Sequence, residues 1–242
     1  VSQDGKSVAS GTADKTLKIA QIDGSTAAQD VPGTDHPVMW LAYSQDGKWL
    51  LASGWAKSAT LFTSNGTKKA TYSHEMEMTQ WAMVNLRSAL WCGDGNQVLI
   101  CTPSGDMQMF HPGETTPFRT LKGHTGVIRE IRVSRTGQYV GTYGNDESLR
   151  LWDTIAGKEL PYEEAGNAPT AADFSADSKS WWVGYSAGAI RRYDLKSGKQ
   201  SSSTLGAVDS PYEVRILGPS TEPKIWIRNG DQLLFAGEHT LH

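Results

Sequence analysis

The sequence predicts an all-β chain built from six copies of one four-stranded antiparallel unit, and three observations carry that expectation. Runs that alternate apolar and polar residues, such as Val127 to Val133, have the period of a half-buried strand. Turn signals rich in Gly, Asp and Asn separate them, as at Thr136-Gly137 and Asn145-Asp146. The spacing then recurs where the residue types do not. An offset of 16 from first turn to third strand joins Thr136 to Trp152, and likewise Asp4 to Ala20, Asp46 to Phe62, Asp94 to Phe110, Asp177 to Tyr193 and Pro219 to Phe235. The third-strand positions are separated by 42, 48, 42, 41 and 42 residues, close to the roughly 40 to 45 of a four-stranded repeat.

The best-formed copy is residues 121 to 160. A Gly123-His124 pair opens it, a strand and the Thr136-Gly137 turn follow, then a strand near Tyr139 to Tyr143, the Asn145-Asp146 turn, and a strand from Ser148 closed by Trp152-Asp153. This order resembles the WD-repeat family. The resemblance implies a β-propeller of four-stranded antiparallel blades, read as a single domain over 1–242 with six repeats visible. Val1 lies three residues before the Asp4 turn, so the first blade reads as incomplete at its N-terminal end. About ten upstream residues would complete six blades and about fifty would make seven.

In order, copy two reads as strands Val38 to Tyr43, Trp49 to Ser53 and Ala59 to Phe62, with Asp46-Gly47 between the first two. The one long interval places about six extra residues between Phe62 and Asp94, most plainly in Ser73 to Val84. Copy three runs from Leu86 to Phe110-His111, with Thr116 to Leu121 as its outer strand. Copy five runs from Thr170 to Asp194, and copy six from Tyr212 to Phe235, where Gly218 to Pro223 carries no Asp-Gly signal. The hairpins Thr154 to Gly157 and Leu195 to Gly198 place Gly where positive φ is required. Trp181-Trp182 points one ring to each face of its strand, one into the core and the other to outer packing or a contact.

Composition bounds the function. With 25 Gly, 9 Trp, 8 Tyr and 20% charged residues the chain is turn-rich and aromatic-rich. No run approaches about 18 apolar residues, so no membrane span is expected. A net charge of −3 argues against the basic surface that nonspecific nucleic-acid binding needs, and no nucleic-acid partner is expected. Cys92 and Cys101 share a hairpin without standing opposite each other, so they read as free thiols, which suits a cytoplasmic location. Asn65-Gly66-Thr67 fits a glycosylation acceptor but reads as a tight turn. The histidines lack paired spacing, and no Walker loop, dinucleotide fingerprint or GxSxG elbow is present. No metal, cofactor or catalytic residue is expected, and the chain is read as no enzyme.

In the fourth copy, the WD-repeat resemblance assigns His124, Thr142, Asp146 and Trp152 to a hydrogen-bonded structural tetrad. A catalytic reading of the same His, hydroxyl and carboxylate fails for want of oxyanion donors, whereas buried polar groups need partners merely to be satisfied. The first copy keeps only Ser10 and Asp14, with Ala20 replacing the tryptophan, and Ala56, Ser104, Ala187 and Asn229 fill the Asp slot elsewhere. The chain thus reads as a divergent member.

Two positions per blade point to the narrower face if the family pattern holds. Trp, Tyr and Arg are enriched at binding hot spots, so Trp55, Arg87, Arg129, Tyr212 and Arg228 form the candidate partner patch, whose arginines suit an acidic peptide. Trp81, in the insertion His74 to Trp81, is a further candidate, as a partner-contacting loop or as a cap on its own blade. Three functions remain: a noncatalytic scaffold for protein or peptide partners, a structural subunit of a larger assembly, and a propeller enzyme or quinone-cofactor protein. The last rests on Asp153 to Lys158 and Asp194 to Lys199, which are similar to quinoprotein motifs and equally to ordinary WD-repeat turns.

Overall fold

The computed structural model describes residues 1–35, 37–54, 58–73, 89–93, 95–162, 169–185, 189–204, 213–217, 224–229 and 232–236, with side chains described to residue 202 except at residue 89. Among these residues every element is a strand. A three-stranded sheet holds β1 (Ser7–Gly11), β2 (Leu17–Gln21) and β3 (Gln29–Asp30), in that order. The second is β4 (Trp40–Tyr43), β5 (Trp49–Ser53), β6 (Ser58–Thr63) and β7 (Lys68–Ser73), and the third β8 (Ala89–Cys92), β9 (Gln97–Cys101), β10 (Met107–Phe110) and β11 (Arg119–Leu121). The fourth comprises β12 (Ile128–Val133), β13 (Tyr139–Gly144), β14 (Leu149–Asp153) and β15 (Lys158–Leu160), and the fifth β16 (Pro169–Phe174), β17 (Ser180–Tyr185), β18 (Ala189–Asp194) and β19 (Gln200–Thr204). The last has three strands, β20 (Glu213–Leu217), β21 (Lys224–Asn229) and β22 (Gln232–Ala236). Sequential antiparallel order within each sheet is the blade pattern of a propeller.

The repeat is also visible in the pairing. Each third-strand position faces a residue of the preceding strand: Val8 with Ala20, Leu50 with Phe62, Val98 with Phe110, Val140 with Trp152 and Trp181 with Tyr193. In the sixth sheet Trp226 faces Phe235, so there the hairpin is shorter. Strand β4 begins two residues later than the sequence suggests, because the Val38 N–H donates to Thr12 O at 2.9 Å and that of Met39 to Ser53 O at 2.9 Å.

The chain divides into two compact units, Val1–Ile131 with Gly144–Ser148, and Arg132–Tyr143 with Leu149–His242. In the first, Leu17, Ile19, Val31, Val38, Leu50 and Phe62 form one apolar cluster, and Leu61, Tyr72, Trp91, Ile100 and Phe110 belong to another. The Trp91 indole N–H donates to Ala42 O at 2.8 Å. In the second, Leu151, Phe174, Trp181, Val183, Tyr185 and Tyr193 pack together. Trp181 and Trp182 are both buried, at 0% and 6% exposure. Arg192 covers Trp182, its guanidinium 5.8 Å from the ring centre.

A serine set two residues before the turn recurs. The hydroxyls of Ser2, Ser44 and Ser175 donate to Asp4, Asp46 and Asp177 at 2.6, 2.6 and 2.7 Å. The same oxygens accept the N–H of Ser7, Trp49 and Ser180 at 2.9, 3.0 and 3.0 Å. Ser134 accepts the Tyr139 N–H in the same way at 3.0 Å. Each hydroxyl thereby closes the turn ahead of the second strand. Gly157 and Gly198 both have φ of 70°, as their turns require. Asn65-Gly66 is a turn, with Gly66 at φ 90° and its N–H on Thr63 O at 2.9 Å. Cys92 and Cys101 are buried and not joined in a disulfide, and they face Gln97 and Met107 respectively. Burial pushes the Cys101 thiol up to about 12, so it is unreactive at neutral pH.

Candidate partner-binding face

The loops between second and third strands are tied at their bases and to the segment leading into a first strand. The Thr12 N–H donates to Thr16 O at 3.0 Å, Thr102 N–H to Asp106 O at 2.8 Å, and Gly144 N–H to Ser148 O at 3.1 Å. The Asn145 N–H reaches Val127 O at 2.8 Å. Gly105 lies so close to His124 and Gly126 that an added Cβ would sit 2.5 Å from Gly126 O. These loops are therefore fixed by backbone contacts, and they leave Ala13, Ser104, Asn145 and Arg129 exposed. Met39 is 39% exposed.

Of the candidate patch, Arg129 is the member whose side chain is described. It stands second in β12 and is exposed. Arg228 lies in β21, where its backbone faces Glu213 and Leu233. Trp55, Trp81, Arg87 and Tyr212 fall outside the described residues, as does the insertion.

In the first unit, His124 and Asp146 form a close pair. His124 Nδ1 is 2.9 Å from Oδ1 and 3.1 Å from Oδ2 of Asp146, and the Thr125 N–H donates to Oδ2 at 2.9 Å. Ser148 joins them, its Oγ 3.1 Å from Nδ1. Burial alone would raise the Asp146 carboxyl. The Thr125 N–H, His124 and Ser148 outweigh it and hold the group at about 2. Asp146 is thus ionised at neutral pH, which keeps the proton of His124 on Nδ1. The His124 side chain is 0% exposed and Asp146 10%, so neither presents itself for acid–base work on a bound molecule. In the second unit, the Trp152 indole N–H donates to Thr142 Oγ1 at 2.9 Å. Sequence reasoning missed Ser148, whose place is taken by Thr16 in the first copy and Ser58 in the second, and the turn serines, which an alignment of copies on the turn residue exposes at 2, 44, 134 and 175.

The Gly-Lys turns are closed by their own aspartates. Asp153 Oδ1 accepts the N–H groups of Ile155 and Ala156 at 3.0 and 2.9 Å, and Asp194 Oδ1 accepts that of Ser197 at 2.8 Å. Among the described residues no group of three His, Cys, Asp or Glu could hold a metal ion, and no helix is long and apolar enough to cross a membrane.

A family model described as WD domain, G-beta repeat, matches residues 28–63 and 115–153. Each match starts at or ahead of the outer strand of one sheet and ends on the third strand of the next. The chain is 22% identical to autophagy-related protein 16 of Arabidopsis thaliana, over 94% of this chain and 45% of that protein. It is 32% identical to cross-pathway control WD-repeat protein 2 of Flammulina velutipes, over 48% of this chain and 36% of that protein. It is 30% identical to small ribosomal subunit protein RACK1 of Caenorhabditis elegans, over 48% of this chain and 35% of that protein. The chain spans less than half the length of each of these relatives.

Proposed function

We propose, from its membership of the WD-repeat family, that this chain is a noncatalytic platform that docks protein or peptide partners. The observation that carries the reading is the fixing of the inter-strand loops by backbone hydrogen bonds beside exposed Arg129 and Met39. Side chains held on rigid elements lose little freedom on binding. Trp55, Arg87, Arg129, Tyr212, Arg228 and Trp81 are the proposed contacts, and their arginines favour an acidic peptide. His124, Thr142, Asp146 and Trp152 have a structural role in this reading, since a buried imidazole on a buried carboxylate orders a loop and touches no substrate. The aspartates of the Gly-Lys turns are engaged by their own backbone, which favours docking over a quinone cofactor.

The test is purification of the natural protein from its source under complex-preserving conditions, with intact mass and light scattering. Companion proteins that are retained by the native chain and lost on Arg129→Glu with Arg228→Glu, while circular dichroism is unchanged, are the expected result. A chain that travels alone and carries an added small-molecule mass overturns it.

A further inference from the structure

A cleft of about 640 Å³ opens between the first and second sheets, within the first unit. That volume lies in the range that holds a small ligand or a few residues of peptide, roughly 300 to 1,000 Å³. Its walls are built from the turn before β1, the end of β2, the approach to β3, the turn after β4 and the turn after β6. This is the side of the sheets that carries the Ser-x-Asp turns, away from Arg129 at the start of its strand.

The lining selects by chemistry. Gln3, Gln21, Gln29, Gln45 and Asn65 are among the lining residues. Gln21 Nε2 donates to Ser7 Oγ at 3.1 Å and Asn65 Oδ1 accepts from the Thr63 and Thr67 hydroxyls, while an amide that both donates and accepts is the complement of an extended peptide backbone. Two carboxylates flank them, Asp4 and Asp46. The Ser2 hydroxyl and Lys6 N–H hold Asp4 below the ordinary carboxylate range. Burial pushes Asp46 upward, but the Ser44 hydroxyl and the backbone and ammonium of Lys48 outweigh it. Both are ionised at neutral pH. Among the described residues no lysine or arginine lines the cleft. Lys48 pairs with Asp46 at 3.2 Å from outside, with its side chain 74% exposed, and a surface pair of that kind is readily exchanged for another cation. Tyr43 is also in the wall, half-buried and packed against the apolar cluster of the first two sheets.

We propose that this cleft docks an extended, positively charged peptide segment, its backbone read by the glutamine and asparagine amides and a lysine or arginine side chain held between Asp4 and Asp46. The proposal rests on the docking-platform reading and gives the platform a second site of opposite charge preference to the Arg129 face.

A phage-displayed library of random dodecapeptides, selected on the purified chain, supplies the probe. Recovered peptides are expected to be rich in Lys and Arg and poor in Asp and Glu. Gln29 and Gln45 are exposed, so both can be exchanged without disturbing a core. Gln29→Arg with Gln45→Arg is expected to weaken a synthetic copy of the best peptide at least about tenfold, and Gln29→Glu with Gln45→Glu to tighten it. A pair of opposite responses cannot come from misfolding. Cationic peptides that bind both double variants equally overturn the cleft as their site. Acidic peptides that depend on Arg129 overturn the cleft and leave docking standing. Recovery of no peptide at all overturns the cleft proposal, and docking of whole proteins is then decided by the native purification alone.

Discussion

The Ser175 hydroxyl donates to Asp177 at 2.7 Å and accepts the N–H of buried Ser180 at 3.0 Å. Replacing Ser175 with alanine strands that N–H inside the protein, so Ser175→Ala is expected to cost about 1–2 kcal/mol in urea unfolding. Ser2 makes the same bonds in an exposed turn, where water replaces the lost partner, and Ser2→Ala is expected to cost under about 0.5 kcal/mol. Equal losses at the two positions would show that turn closure, and not burial, sets the cost. The turn aspartates were legible because Asp-Gly is a strong local signal. The serines were not, since Ser is common in loops and Cys92 stands at the equivalent place in the third copy. Among the candidate contacts, Arg129 came from the family pattern, seven residues before the first turn, and it stands exposed as the second residue of β12. Ser148 was not legible as a partner of His124, since contacts of that kind depend on how a loop folds back.

Gly141 in β13 packs directly under the Trp181 indole of β17. A Cβ there would lie 2.7 to 2.9 Å from the indole of Trp181, which is 0% exposed and cannot swing aside. Gly141→Ala is therefore expected to destabilise by about 1–3 kcal/mol. The cost should shrink in a Trp181→Leu background, because leucine has no ring atoms at the places of Cζ2, Cε2 and Nε1, the three atoms that clash. A double-mutant cycle by urea unfolding checks this, and strict additivity would show that the cost arises in the backbone. Register was the most legible feature of the fold, since the first-turn to third-strand spacing places Phe62, Phe110, Trp152 and Tyr193 opposite apolar partners. It slipped at the edges. In the sixth sheet Phe235 pairs in register with Trp226, nine residues before it in place of twelve, and at β4 the extra hydrogen bonds of Val38 and Met39 delay the strand.

Among the described residues, carboxylates repeatedly close turns. Asp4, Asp14, Asp23, Asp46, Asp146 and Asp194 all sit below the ordinary carboxylate value, chiefly through hydrogen bonds from nearby serine and threonine hydroxyls and backbone N–H groups. A carboxyl depressed in the folded state binds its proton less readily there than in the unfolded chain. Its contribution to stability is complete above the unfolded value of about 3.9 and is lost as the pH falls toward the folded one. For Asp146 that window runs from about 4 down to about 2 and carries on the order of 2 kcal/mol. The urea midpoint should then be flat with respect to these groups between pH 7 and 5 and fall steeply below pH 4. In Asp146→Asn, which is weaker at neutral pH for want of the charged acceptor, the fall between pH 5 and 3 should be shallower than in the native sequence. Parallel curves for the two proteins would mean that the Asp146 carboxylate is not held by His124, Thr125 and Ser148 in solution. The structural role proposed for the His124 and Asp146 pair would then fail, while the docking surfaces would be left to their own tests.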